Sequence, residues 1–155
     1  MHPAAVVVKA PKIYLVAKYQ QDDIYRNLLV HRISEASVDF LENAVPADFS
    51  LEQYLDLGGL DVPVNGDETY YDIEIDIKAT PETANLLDDL QESPIHHTQI
   101  LKQRSKQRYR LTIHSQRTYQ LIEWIVARGR YVTVTRPSAL KEDIRNHLSQ
   151  ALANY

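Results

Sequence analysis

The residues best suited to chemistry are basic ones set among apolar neighbours. In "IYRNLLVHRI" (Ile24–Ile33), Arg26, His31 and Arg32 stand amid many apolar residues. Between Gln99 and Arg136, the cations Lys102, Arg104, Lys106, Arg108, Arg110, Arg117, Arg128, Arg130 and Arg136 face a single acid, Glu123. Cations at this density make a local positive field that attracts phosphates, even on a chain whose net charge is -4. Tyr14, Tyr19 and Tyr25 add flat rings that can stack on bases. Each feature also has a plainer explanation. Tyrosines pack strands, and surface cations pair with carboxylates in a solvated face.

Other reactive groupings are missing. There is no Gly-rich phosphate loop, no HExxH and no GxSxG. The absence of cysteine excludes disulfides, thiolate metal sites and cysteine nucleophiles. His96–His97 are adjacent and would diverge on a strand, which fits a polar loop better than a metal site. Asp88–Asp89 fall at a helix end with nothing to raise either pKa. An enzyme has no positive support, and neither a metal nor a cofactor is expected. No apolar run approaches the roughly 20 residues that span a bilayer, and the amino terminus lacks the features of a signal peptide. Cytoplasmic location without membrane attachment is the expectation.

The elements that would position these residues fall into two units, residues 1–57 and 69–155, with residues 58–68 between them as a linker. In the first unit, Ala5–Val8 and Ile13–Tyr19 read as strands around a turn at Pro11. A third strand begins near Ile24 after the polar tip "QQDD" and continues, bent, to Phe40, with Leu28, Val30 and Ile33 sharing a buried side. A short helix follows, capped by Ser50, with Leu51, Tyr54 and Leu55 as its apolar side. The linker holds three of the four glycines, together with Pro63 and an Asn-Gly turn signal.

The second unit opens on "YYDIEIDIKA", whose strict alternation puts Ile73, Ile75 and Ile77 on one face and Asp72, Glu74 and Asp76 on the other. Thr80 caps a helix with Pro81 at its first position and Ala84, Leu87 and Leu90 packed down. "TQILKQ" and "RYRLTIHS" form two strands around the tip "RSKQ". A second helix begins after Ser115, turns Leu121, Ile122, Trp124 and Ile125 inward, and stops at Gly129. "YVTVTRP" is a fourth strand, and a last helix carries Leu140, Ile144, Leu148 and Leu152. The order βαββαβ, then α, is the ferredoxin-like arrangement. It sets the first strand beside the third, so that Asp72, Glu74 and Asp76 meet Arg108 and Arg110. Arg104, Lys106, Arg128 and Arg130 keep no such partner and become the better phosphate candidates.

"HPAAVVVKAPKIYLVA…IYRNLLVHRI" resembles the second half of a WYL domain, the small Sm/SH3-like β-barrel of bacterial transcriptional regulators. Ile13-Tyr14-Leu15 stands at the signature, with its tryptophan replaced. "IKATPETANLLDDL", "LIEWIVARG" and "VTRPSALKEDI" resemble, in order and spacing, the extension that commonly follows that barrel. The resemblance implies an α+β chain, a partial Sm/SH3-like barrel followed by a ferredoxin-like βαββαβ(α) domain. It puts Tyr14 on the signature tyrosine and Arg26 and Arg32 on basic positions of the following strand. Leu29 and His31 depart from the family, standing where a basic residue and an aspartate are common.

The family's usual architecture begins with a winged helix-turn-helix, which is expected to be missing from this chain together with the first barrel strands. The chain is therefore expected to be a piece of a longer regulator. WYL domains are implied to sense nucleic acid or nucleotide-like effectors, in some members single-stranded DNA, and the extension to contribute to a homodimer. The expected function is a ligand-sensing and dimerisation module of a bacterial transcriptional regulator. Tyr14, Arg26, His31 and Arg32 would form one ligand surface, and Arg104, Lys106, Arg128 and Arg130 a second. The alternative is a structural interaction module with no small ligand.

Overall fold

A computed structural model describes residues 1–9, 11–19, 24–37, 47 and 49–155. The chain is α+β and divides into two compact units, Met1–Leu55 and Asp56–Tyr155.

In the first unit, β1 (His2–Lys9), β2 (Lys12–Lys18) and β3 (Tyr25–Leu29) form an antiparallel sheet in the order β1-β2-β3. Among the described residues these strands do not close a barrel. Proline at position 11 lies in the β1–β2 turn, where its missing N–H costs the ladder nothing. The expected tip "QQDD" lies outside the described residues. The third strand is shorter than its apolar run suggests. It ends at Leu29, the partner of Tyr14, and Val30–Arg32 form a 3₁₀ turn closed by Ile33 N–H on the Val30 carbonyl (3.1 Å). Val30 and Ile33 therefore do not share a buried side; each is 38% exposed. Residues 33–37 have no regular structure, and the expected end at Phe40 lies outside the described residues.

The short helix α1 (Leu51–Asp56) starts at Ser50, whose Oγ accepts from the Gln53 N–H (3.3 Å). With six residues it turns Leu51 and Tyr54 to one side and leaves Leu55 exposed, contrary to expectation. The Tyr54 hydroxyl donates to Asn27 Oδ1 (3.0 Å), and the rings of Tyr25, Phe49 and Tyr54 pack together.

The second unit is a four-stranded antiparallel sheet, β4 (Tyr70–Lys78), β5 (Ile100–Ser105), β6 (Arg108–Gln116) and β7 (Val132–Arg136), in the order β5-β6-β4-β7. The first strand lies beside the third, as a ferredoxin-like chain requires. Ile73, Ile75 and Ile77 are fully buried beneath Leu87 and Leu90 of α2 (Ala84–Glu92) and Leu121, Ile122 and Ile125 of α3 (Tyr119–Val126). Helix α4 (Ser138–Leu152) packs against α3 and β7, with Leu140 and Ile144 reaching the core. Leu148 and Leu152 continue its apolar stripe but stay 48% and 74% exposed.

Two helix starts differ from the sequence pattern. Strand β6 runs on to Gln116 because Tyr70 still offers it a partner, so α3 starts later and its cap is Thr118, whose Oγ1 accepts from Leu121 N–H (3.2 Å). Before α2, Pro81–Thr83 form a 3₁₀ turn that buries Thr83 and leaves Ala84 outside. Thr83 Oγ1 accepts from Thr80 N–H (2.9 Å) and donates to the Lys78 carbonyl (2.7 Å). Thr83→Val keeps the shape and removes both bonds. It should lower stability by about 1–2 kcal/mol, seen as a lower urea midpoint at unchanged slope.

Candidate functional site

On the sheet face away from α2 and α3, carboxylates of β4 meet cations of β6. Arg110 spans Asp76 (2.8 Å) and Glu74 (2.8 Å), Arg108 lies 3.7 Å from Asp76, and His114 Nδ1 lies 2.7 Å from Asp72. These pairs favour this register, and the two carboxylates on Arg110 occupy its guanidinium.

The remaining cations collect where β4 ends. The N–H of Lys78 donates to the Tyr131 carbonyl (2.9 Å), and that of Ala79 to the Gln107 carbonyl (2.9 Å). These two bonds stitch the β5–β6 tip and the α3–β7 turn to either side of one peptide, bringing Lys106 and Arg130 to the same end of the sheet as Arg108 and Lys78. All four side chains are exposed. Arg104 sits at a register break of β5, between Gln103 and Ser105, where a bulge redirects it towards solvent. Lys78 was not among the residues singled out from the sequence. Only the pairing of Lys78 with Arg108 and the two stitches reveal it.

Arg128 and Arg130 are less available than their spacing suggests. The Arg128 guanidinium lies over the Trp124 ring (4.6 Å to its centre) and donates to the Trp124 carbonyl (3.1 Å). Arg130 lies over the ring of Tyr131 (4.6 Å), donates to its hydroxyl and faces Glu82 electrostatically. A guanidinium stacked on a ring keeps its charge and the edge that binds phosphate. Arg128 is half-buried and Arg130 exposed, so Arg130 is the better placed of the two.

In the first unit the candidates do not form one surface. Tyr14 pairs with Val7 and Leu29, whereas Arg26 pairs with Ala17. Tyr14 and Ala17 are an odd number of residues apart on a regular strand, so Tyr14 and Arg26 project from opposite faces. Arg26 instead lies over the Tyr19 ring (5.7 Å). His31 and Arg32 are exposed on the 3₁₀ turn that follows Leu29, and so flank the Tyr14 end of the sheet.

Arg117 belongs to the basic stretch by sequence, yet it is a clamp. Its side chain is 13% exposed and binds Asp67 (2.7 Å) and Asp143, with its guanidinium over Tyr71 (5.2 Å). The Tyr71 hydroxyl also donates to Asp67 (2.9 Å). Hydrogen bonds from Thr69, and then from Arg117 and Tyr71, hold the Asp67 carboxyl far below the usual carboxylate range. Among the described residues, no cluster of histidines and carboxylates could hold a metal ion, and no helix is long and apolar enough to cross a membrane.

The family model of the WCX domain, the WYL C-terminal extension, matches residues 71–152, more than half of the chain. The chain belongs to the WCX domain family. No curated protein matches the chain. WCX is a regulatory rather than an enzymatic family, so this chain carries a module of the WYL-regulator type. The match runs from Tyr71 of β4 to Leu152 of α4, covering all of the ferredoxin-like sheet of this WCX protein but Tyr70, and the cations at its end.

Proposed function

We propose that this WCX protein is the sensing and dimerisation part of a bacterial transcriptional regulator, with the cationic end of the β4 sheet contacting phosphates of single-stranded nucleic acid or of a nucleotide-like effector. The observation that carries this reading is the convergence of Lys78, Lys106, Arg108 and Arg130 through main-chain hydrogen bonds at Lys78 and Ala79. Arg104 flanks this end from β5. Tyr14, His31 and Arg32 would form a second contact in the WYL-like unit, with Arg26 acting from the other face of that sheet.

Phosphate binding of this kind is electrostatic, and its affinity falls as salt displaces the gain from counterion release. Anisotropy of a labelled single-stranded oligonucleotide, and of a labelled nucleotide, should report binding at about 50 mM salt, and that of the oligonucleotide should weaken roughly fiftyfold by about 200 mM. The double variant Lys78→Glu/Arg130→Glu should weaken binding at least as much and flatten the salt dependence. Arg110→Gln should matter little, because Asp76 and Glu74 already occupy that guanidinium. Signals that stay flat with every ligand, or a charge-reversed protein that binds normally, would reject the reading. An interaction module without a ligand is favoured by one observation, the exposed continuation of the α4 apolar stripe at Leu148 and Leu152. It predicts self-association that survives the charge reversal.

A further inference from the structure

At the other end of β6 from the cationic cluster, a cleft opens between three pieces of the second unit. Its floor and walls are Ile113 of β6, Leu121 and Trp124 of α3, and Ile95 and His96 of the α2–β5 connection. Asp61, Ser115 and Gln120 bring polar groups to it, and its interior offers about 160 Å³. That is below the roughly 300–1,000 Å³ of drug-sized pockets and suits one small ring system, and the mixture of apolar wall with a few polar groups is typical of ligand sites.

The cleft is held by hydrogen bonds rather than by loop packing alone. Gln99 takes the Ile95 N–H on its side-chain oxygen (3.0 Å) and donates to the Leu90 carbonyl, pinning both ends of the turn before His96. The hydroxyl of Thr98 accepts from His114 N–H (2.8 Å), which fastens the turn to β6. Opposite, Val62 N–H donates to Gln120 Oε1 (2.9 Å) and Tyr119 N–H to the Val62 carbonyl (3.0 Å), which fastens residues 61–64 to the start of α3.

These bonds also fix what the polar groups can offer. A backbone N–H can only donate, so the Thr98 N–H on His96 Nδ1 (3.2 Å) leaves that nitrogen without a proton and puts the ring's proton on Nε2. Burial and then the neighbouring His97 favour this neutral ring. By the same logic Gln120 spends its oxygen on Val62 and keeps its amide NH₂ as a donor. The cleft thus combines an indole wall with two uncharged donors, beside the carboxylate of Asp61 and the hydroxyl of Ser115.

We propose that this cleft is a binding site for a neutral, planar nitrogen heterocycle of nucleobase size, stacked against Trp124 with its ring acceptors on His96 Nε2–H and the Gln120 amide. Two uncharged donors suit neutral acceptors, and a saturated hydrocarbon would leave both donors unpaired. A flat ring with acceptors around its edge satisfies both donors and the indole wall. This site is separate from the cationic sheet end and does not depend on it.

Trp124 is the only tryptophan, so its fluorescence reports this cleft and the Arg128 guanidinium stacked on the same ring, and bases without phosphate address the cleft. Titration of the full chain with adenine and with uracil, excited at the red edge of the indole band, should give saturable quenching with at least one of them. His96→Phe and Gln120→Leu should each weaken it about tenfold, with far-UV circular dichroism confirming that both variants are folded. Lys78→Glu/Arg130→Glu should leave it unchanged. No saturable response to either base up to millimolar concentration overturns the proposal. So does a response that both folded variants retain, or one matched by toluene, since either marks an apolar crevice without recognition.

Discussion

Leu140→Ala is expected to lower the stability of the second unit by about 3 kcal/mol, the usual cost of a buried leucine truncation whose cavity only partly collapses. Leu140 is the one fully buried side chain of α4. Beyond it the helix holds on through half-buried Ile144 and the Asp143–Arg117 pair, while Leu148 and Leu152 bury little. The loss should therefore be uneven. Hydrogen exchange should accelerate across Ser138–Leu152 well before it does in β4 and β6, whose isoleucine core is untouched. A variant that loses protection uniformly, or keeps it all, would show that α4 is not a separately releasable element.

The second large effect concerns the clamp beneath that helix. Arg117→Met should cost about 2 kcal/mol, the lower part of the range for charged hydrogen bonds lost with their partners left behind, because the clamp lies near the surface. Its signature is the dependence on pH. Asp67 has its carboxyl pKa depressed in the folded state, by Thr69 first and then by Arg117. A depressed carboxyl stabilises the fold fully above its unfolded pKa of about 4, and the contribution is lost as pH falls through the lower folded value. The gap between wild type and Arg117→Met should be full at neutral pH and narrow progressively below about pH 4. Thr69 and Tyr71 still bind Asp67 in the variant, so some acid sensitivity remains. Denaturant midpoints at several pH values measure this directly, and a gap that is constant with pH would mean that Arg117 acts by packing alone.

How far the sequence disclosed all this depended on the range of the interaction. The alternation of Ile73, Ile75 and Ile77 marks β4 unmistakably, and with the helices around it gives the strand order. From that order the juxtaposition of Asp72, Glu74 and Asp76 with Arg108 and Arg110 follows, whereas the pairing of Arg110 with Asp76 needed the register. The end of β3 was not legible, because Leu28, Leu29 and Val30 are equally apolar whether the chain stays extended or turns. Arg117 could not be recognised as a clamp, since Asp67 and Asp143 stand 50 and 26 residues away. The stacking of Arg128 on Trp124 did leave a signal, the four-residue spacing that makes neighbours on a helix. The opposite facing of Tyr14 and Arg26 required the register, which a one-residue slip would invert.

The stitches at Lys78 and Ala79 have an evolutionary consequence. Main-chain amides make them, so side chains other than proline can occupy positions 78, 106 and 130 without removing these bonds. Architecture and surface chemistry are thereby uncoupled. Substitutions that exchange charge for hydrogen-bonding or aromatic groups should change the character of this end of the sheet at little cost to folding. Such a surface can diversify rapidly among descendants of one scaffold.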